Sequence, residues 1–144
     1  MPSDTRADLH AHTTYSDGTL SPADLVEEAL WNGLSAIAIT DHDTVEGLDE
    51  AMTAGKHFMI EVVPGVELSC HHNDAEVHLL GLFISRTAAL AERLHALRVQ
   101  RVDRMRIMLS KLEAVGIHIT LEEVRVEAGD HTLGRPHLAR LLQR

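Results

Sequence analysis

The sequence has a single cysteine, no long apolar run and no apolar segment at its start. With Cys70 alone, the chain can form neither an internal disulfide nor a thiolate zinc cage, so a metal ion would have to be held by imidazole and carboxylate groups. No run approaches the roughly 18 apolar residues that cross a bilayer, and residues 1–6 do not resemble a secretory signal. We therefore expect a cytoplasmic protein that does not contact a membrane.

Basic residues are also scarce. The 13 Lys and Arg residues are outnumbered by 22 Asp and Glu residues, which gives a formal net charge of −9. This balance argues against a general nucleic-acid coating protein, because such proteins bind mainly by neutralising phosphates with basic side chains. A glycine-rich phosphate loop, a Gly-x-Ser-x-Gly motif and a Cys/His nucleophile arrangement are absent too. Most P-loop enzymes and covalent hydrolases are thereby excluded.

Residues 7–84 alternate between strand and helix patterns. A chain of 144 residues that is 44% hydrophobic can bury one core. Strands are predicted over 7–12, 36–40, 60–63, 66–69 and 76–84, helices over 21–32 and about 45–56, and a polar loop over 71–74. Strands that alternate with helices indicate βαβ units and a largely parallel sheet.

The pattern changes after Ser85. Apolar residues recur at three- and four-residue steps, which predicts one long amphipathic helix that ends at Gly116. Thr120 and Glu123 have the spacing of a capping box, and Arg135 with the proline after it begins a last helix.

Six residues of metal-ligand type lie at or just beyond the predicted strands. They are His10, His12, Asp17, His42, Glu67 and His78. Polar residues at the carboxyl ends of strands are where α/β folds place their sites. Neutral imidazole and carboxylate are good ligands for Zn, Fe and Mn, so metal-assisted hydrolysis is the leading hypothesis.

Several of these residues have a simpler interpretation when taken alone. Asp17 precedes a glycine, as in an ordinary turn. Asp43, which is not one of the six but follows His42, could be the N-cap of the following helix. Glu67 could be an exposed loop carboxylate, and His78 could be a buried, hydrogen-bonded histidine. The combination of all six favours the metal site over these alternatives.

Candidate groups for binding phosphate follow later in the chain. Arg101 and Arg104 belong to the long helix, where the ordinary interpretation is a solvated face and the alternative is a grip on phosphate. Arg135 and His137 lie beside Gly134 and could reach an anion at a helix N-terminus.

Taken in order, the motifs resemble the PHP superfamily, the polymerase and histidinol phosphatase group. The residues that carry the resemblance are Asp8–His12, Tyr15–Gly18, Ile39–Asp43, Pro64–Glu67 and His78–Gly81. The later Arg101, Thr120–Glu123 and Gly134–Ala139 resemble the helical insertion of small stand-alone members, which include nucleotide phosphatases and 5′-to-3′ exoribonucleases of the RNase AM type.

The resemblance implies an α/β fold, a distorted (βα)7 PHP barrel. Residues 1–85 would supply its N-terminal strands and helices, and 86–144 a helical insertion that is incomplete at its C-terminus. Family members are longer and contribute a further histidine and a C-terminal Asp-x-His, neither of which this sequence contains. The chain therefore resembles the N-terminal half of a family member.

The resemblance also implies two or three divalent ions, Mn, Fe or Zn. His10 and His12 would hold one ion, which Glu67 would bridge to a second ion that also binds His78. Asp17 and His42 would hold a third. In this scheme the catalytic residues are Glu67, Asp17 and His42, and the substrate-binding residues are Arg101, Arg135 and His137.

The predicted activity is hydrolysis of phosphate esters of nucleotides or RNA 5′ ends by a metal-bound hydroxide. Its substrate would be a nucleotide or a short nucleic-acid phosphate. Two alternatives stay open at this point: a nuclease or proofreading module associated with a DNA polymerase, and a catalytically inactive fragment without the C-terminal ligands. Apolar surface at the unfinished barrel predicts self-association.

Overall fold

The computed structural model describes residues 6–73, 75–86, 88–129 and 131–144. Residues 1–5, part of the stretch that does not resemble a secretory signal, lie outside the described residues, as does Asp74 of the expected polar loop. In chain order the elements are β1 (Ala7–Ala11), α1 (Pro22–Trp31), β2 (Ala36–Ile39), α2 (Leu48–Phe58), β3 (Glu61–His72), β4 (Ala75–Leu82), α3 (Ala88–Glu113), α4 (Leu121–Ala128) and α5 (Arg135–Leu142).

The four strands form one sheet in the order β1-β2-β3-β4. β1, β2 and β3 are parallel, as the alternation of strands and helices predicts, but β4 is antiparallel to β3. The expectation of a largely parallel sheet therefore holds for three strands and fails at the fourth. The whole is an α/β half-barrel with helices, which confirms the predicted fold class.

β3 is one strand of 12 residues, not the two short strands that the sequence predicts. Pro64 pairs with Ile39 in the parallel ladder, and its carbonyl accepts the Ile84 amide at 3.1 Å. Gly65 is needed for close approach, since a Cβ there would lie 2.8 Å from the Thr40 methyl carbon and 3.0 Å from a backbone oxygen. The Pro-Gly pair thus lies within a strand instead of ending one.

The predicted polar loop over 71–74 is also wrong in part. His71 and His72 continue β3, and Asn73, with φ of 46°, begins the turn into β4. Because this turn reverses the chain directly, β4 returns alongside β3 with no crossover helix, and the pairing is antiparallel.

α1 and α2 cover one face of the sheet. α1 begins as predicted, with the Ser21 side chain accepting the Asp24 amide and Pro22 in the first turn. α2 begins at Leu48 after the N-cap Gly47, so its predicted start was early and the N-cap interpretation of Asp43 is wrong. The core between helices and sheet contains buried Val26, Ile37, Ile39, Leu48 and Ala51.

The three C-terminal helices enclose a second buried cluster. Met105, Val124, Leu133 and Leu138 are its main members, and Thr120 and Glu123 form the predicted capping box of α4. No helix in the described part of the chain combines the length and apolar character needed to cross a membrane.

Candidate metal centre

Glu67 lies at the middle of the candidate site, with side chains from three other segments facing its carboxylate. Its Oε2 atom is 2.9 Å from His10 Nε2 and 2.8 Å from His12 Nε2. The two Nε2 atoms are themselves only 3.1 Å apart. His10 is in β1 and His12 follows that strand directly. The parallel pairing of β1, β2 and β3 therefore brings these groups together near the carboxyl ends of β1 and β2.

The loop after β1 brings Asp17 to the same group of side chains. Its Oδ1 is 2.8 Å from His12 Nδ1, and its Oδ2 is 3.7 Å from His42 Nε2. The loop is tight at Gly18, where a Cβ would lie 2.2 Å from the carbonyl oxygen of His12. The glycine is therefore required for Asp17 to turn back toward the histidines.

His42 follows β2 and is held beside Glu67 by main-chain hydrogen bonds. The Asp43 amide donates to the Glu67 carbonyl at 3.0 Å, and the Glu67 amide donates to the Asp41 carbonyl at 3.2 Å. His78 is in β4, the strand that pairs with β3, and its Nδ1 lies 2.6 Å from Glu67 Oε1.

All six predicted ligands come together in three overlapping groups. These groups are His10 with His12 and Glu67, His12 with Asp17 and His42, and His42 with Glu67 and His78, and in each the ligand atoms lie within 4.8 Å of one another. Glu67, His12 and His42 each belong to two groups, which is the arrangement expected of neighbouring ions that share ligands.

The donor set fits a divalent metal. His42 Nδ1 is buried and, among the described residues, has no hydrogen-bond partner, although Glu67 Oε2 lies 3.4 Å away. A buried ring nitrogen without a partner is costly, and coordination would satisfy it. The ligands are imidazole and carboxylate only, the combination that suits Zn, Mn and Fe.

The local electrostatics favour the ligand forms of Asp17 and His42, and the protonated form of His12. Burial opposes ionisation of Asp17, but the hydrogen bond from His12 and the charges of Arg101 and of the His42 and His12 rings in their protonated forms lower the pKa of Asp17 to about 2. Burial and the charge of Arg101 lower the pKa of His42 to about 4, so its ring is neutral at pH 7, as metal binding requires. Burial lowers the pKa of His12, but Asp17 and Glu67 outweigh it and raise that pKa.

The carboxylate of Glu67 is also kept ionised. Burial alone would raise its pKa, but hydrogen bonding to His10, the charge of the His42 ring in its protonated form and a second hydrogen bond to His78 lower it. Two anionic groups, Asp17 and Glu67, thus face four imidazole rings.

The predicted substrate-binding residues have different surroundings. Arg135 is 60% exposed at the side chain and lies beside the cluster, with Nη2 2.9 Å from Glu76 Oε2. Arg101 is 5% exposed and bonded to Asp43, and His137 is buried with its Nδ1 accepting the Gly134 amide at 3.0 Å. Arg135 is therefore the most accessible of the three.

Two carboxylates that flank His42, Asp41 and Asp43, were not among the site residues predicted from the sequence. Asp41 accepts hydrogen bonds from the Thr13 amide and hydroxyl, both at 2.7 Å, and from the Ser16 hydroxyl at 2.6 Å. Asp43 accepts from the Ser69 amide at 2.8 Å and hydroxyl at 2.7 Å. Both are buried, and they tie the segment carrying His42 to the loop before Asp17 and to β3.

Comparison with known proteins gives the family. The model of the PHP domain matches residues 8–119, more than half of the sequence. The chain therefore belongs to the PHP family, as its motifs predicted.

Curated relatives act on phosphate esters. A 5′-3′ exoribonuclease of Haemophilus influenzae is 39% identical over an alignment of 139 residues, and the match covers 94% of this chain and 49% of the relative. A 3′,5′-nucleoside bisphosphate phosphatase of Chromobacterium violaceum is 40% identical over 111 residues, 76% of this chain and 39% of the relative. The chain thus spans about half the length of these relatives, or less.

A solved structure is also similar throughout this chain. A protein of Bifidobacterium adolescentis, described as a metal-dependent phosphoesterase, superposes with a TM-score of 0.87 at 33% identity, and covers 99% of this chain and 51% of its own. The family's dependence on divalent metal agrees with the donor groups gathered here.

Proposed function

We propose that the protein is a metal-dependent phosphoesterase that hydrolyses phosphate esters of nucleotides or of RNA 5′ ends. The convergence of four imidazoles and two carboxylates, centred on Glu67, is the observation that carries this proposal. Both relatives named above act on nucleotides or RNA, and this supports the same substrate class here.

The proposed centre holds two or three divalent ions, Mn, Fe or Zn. His10 and His12 would hold one ion, Glu67 would serve both that ion and one bound by His78, and Asp17 and His42 would hold a third. When bound, such ions lower the pKa of water and neutralise phosphate oxygens as the reaction proceeds.

The chain's own residues provide the arrangement for this chemistry. Glu67 offers one oxygen to the His10 and His12 pair and the other to His78, so it can serve two ions at once. Neutral His42 and ionised Asp17 supply ligands without first losing a proton at pH 7. Arg135 is exposed beside the cluster, and we propose that it holds a phosphate group of the substrate through charge-assisted hydrogen bonds. The same role for Arg101 and His137 stays a prediction.

Two properties of the whole chain are also proposed. Residues 1–85 would form the barrel part and 86–144 the insertion, and the separate buried clusters on either side of this boundary support the division. Self-association and a cytoplasmic location likewise remain predictions.

The test is hydrolysis by protein reloaded with Mn²⁺ after chelation. We expect turnover of a 3′,5′-nucleoside bisphosphate or of a 5′-phosphorylated RNA oligonucleotide, and a loss of at least about 100-fold with Glu67→Gln, because the bridging charge is removed. Glu61→Gln is the matched control, since Glu61 is an exposed residue of the same strand, away from the cluster.

Two results would contradict the proposal. The first is hydrolysis that survives thorough chelation, and the second is an equal rate for the Glu67→Gln and Glu61→Gln variants. The ratio of turnover on the two substrates separates a small-molecule phosphatase from a nuclease.

A further inference from the structure

Glu76 is not among the six candidate ligands, but it contacts one of them. Glu76 and His78 are two residues apart in β4, so their side chains lie on the same face of the strand. Glu76 Oε1 is 3.2 Å from His78 Nε2. The same carboxylate forms ion pairs with Arg104 of α3 and Arg135 of α5.

The two ring nitrogens of His78 face two different carboxylates. Nδ1 is 2.6 Å from Glu67 Oε1, inside the candidate centre, and Nε2 faces Glu76 at its edge. A neutral imidazole carries a single N–H, and a nitrogen that binds a metal must be the unprotonated one. If Nδ1 is the ligand atom, the N–H must be on Nε2, where Glu76 is in position to accept it.

Glu76 is itself held by two cations. Arg104 and Arg135 come from separate helices and occupy both of its oxygens. Because the two arginines hold the Glu76 carboxylate in position, that carboxylate can in turn hold the His78 ring in one orientation. Metal-binding histidines commonly donate their second N–H to a carboxylate in this way, and the partner sets both tautomer and ring orientation.

We propose that Glu76 is a positioning residue for His78, which it orients so that Nδ1 faces the ion shared with Glu67. This inference rests on the proposed function, because it assumes that His78 binds a metal. Arg104 and Arg135 keep the Glu76 carboxylate in place, so the helical part of the chain contributes indirectly to the geometry of the centre.

The experiment measures zinc affinity and the tautomer of His78, not activity. Titration calorimetry with Zn²⁺ compares the wild-type chain with Glu76→Ala and Glu76→Gln. We expect Glu76→Ala to weaken the affinity of one bound ion about 10- to 100-fold. Glu76→Gln keeps an oxygen that can accept the Nε2–H, so it should restore much of the affinity.

Glu127→Ala is the matched control. Glu127 also pairs with two arginines, with Arg140 Nε at 3.0 Å and Arg144 Nη2 at 2.8 Å, but it contacts no candidate ligand. The zinc affinity of the Glu127→Ala variant should equal that of the wild type. In ¹⁵N spectra of the zinc-loaded wild type, Nε2 of His78 should carry the proton and Nδ1 should show the shift of a metal ligand.

The outcomes separate this inference from the proposed function. Wild-type zinc binding that is unchanged in Glu76→Ala, or a His78 proton found on Nδ1, overturns the role of Glu76 and leaves the metal centre standing. A wild-type chain that binds no zinc overturns both.

Discussion

At the scale of single residues, Arg101 is a buried cation whose nitrogens are all bonded to protein groups. Nε donates to Asp43 at 2.5 Å, Nη2 to Ser69 Oγ at 2.6 Å and Nη1 to the Leu133 carbonyl at 3.3 Å. Removing one partner of a buried ion pair leaves the other charge unpaired, which typically costs about 3–5 kcal/mol. We expect Arg101→Met to lower the free energy of unfolding by about this amount in urea denaturation.

Arg98→Met is the control for that variant. Arg98 is on the same helix, but its ion pair with Glu46 at 2.9 Å is at the surface, where such pairs contribute at most about 1 kcal/mol. Equal destabilisation by the two variants would show that Arg101 does not act as a buried partner of Asp43.

The residue types of the candidate site could be predicted from the sequence, but the supports of those residues could not. The six candidate ligands stand out because each is a residue of metal-binding type at or just beyond a predicted strand. Asp41 and Asp43 bond to Thr13 and Ser69, which are 28 and 26 positions away. No local pattern reveals such contacts, because they exist only once β1, β2 and β3 are aligned.

At the scale of elements, the capping box of α4 makes a separate prediction. The Glu123 amide donates to Thr120 Oγ1 at 3.2 Å, and the Glu123 carboxylate accepts the Thr120 amide at 2.7 Å. We expect Thr120→Ala to lower the free energy of unfolding by about 1 kcal/mol at pH 7, measured by urea denaturation. Ser110→Ala, within α3 and outside any cap, should cause a much smaller loss.

The same box should respond to pH. Hydrogen bonds from the Thr120 hydroxyl and amide lower the pKa of Glu123. A carboxyl whose pKa is lower in the folded state stabilises that state above its unfolded pKa, and the contribution is lost as pH falls through the folded value. Destabilisation by Glu123→Gln should therefore be present at pH 7 and shrink on acidification below the ordinary glutamate range. A pH-independent difference would contradict this account.

Element boundaries were predictable where a local signal decides them. The N-caps at Ser21 and Thr120 were predicted because the hydrogen bond that caps the start of the helix is made within three residues. The continuity of β3 through Pro64-Gly65 was not predicted. A Pro-Gly pair usually ends a strand, but here pairing with β2 on one side and β4 on the other keeps the strand continuous. Pairing between distant segments leaves no mark in a short window of sequence.

At the scale of the whole molecule, the sheet ends in two open edges. β1 and β4 are its outer strands in the described part of the chain, and they carry exposed Leu9 (44%), Leu79 (54%) and Leu80 (42%). An open edge presents unpaired backbone groups that another strand can bind, and exposed apolar side chains nearby favour contact. A second copy of this chain presents the same edges, so it is the partner we expect.

We therefore predict that the chain self-associates. Sedimentation should show an average mass that rises with protein concentration, and Leu79→Lys should reduce that rise, since it places a charge among the apolar side chains of β4. Val126→Lys is the matched control, because Val126 is 74% exposed on α4 and outside the sheet. A mass that equals one chain at every concentration would contradict the prediction. So would an equal effect of the two lysine variants, because the contact would then not involve the sheet edge.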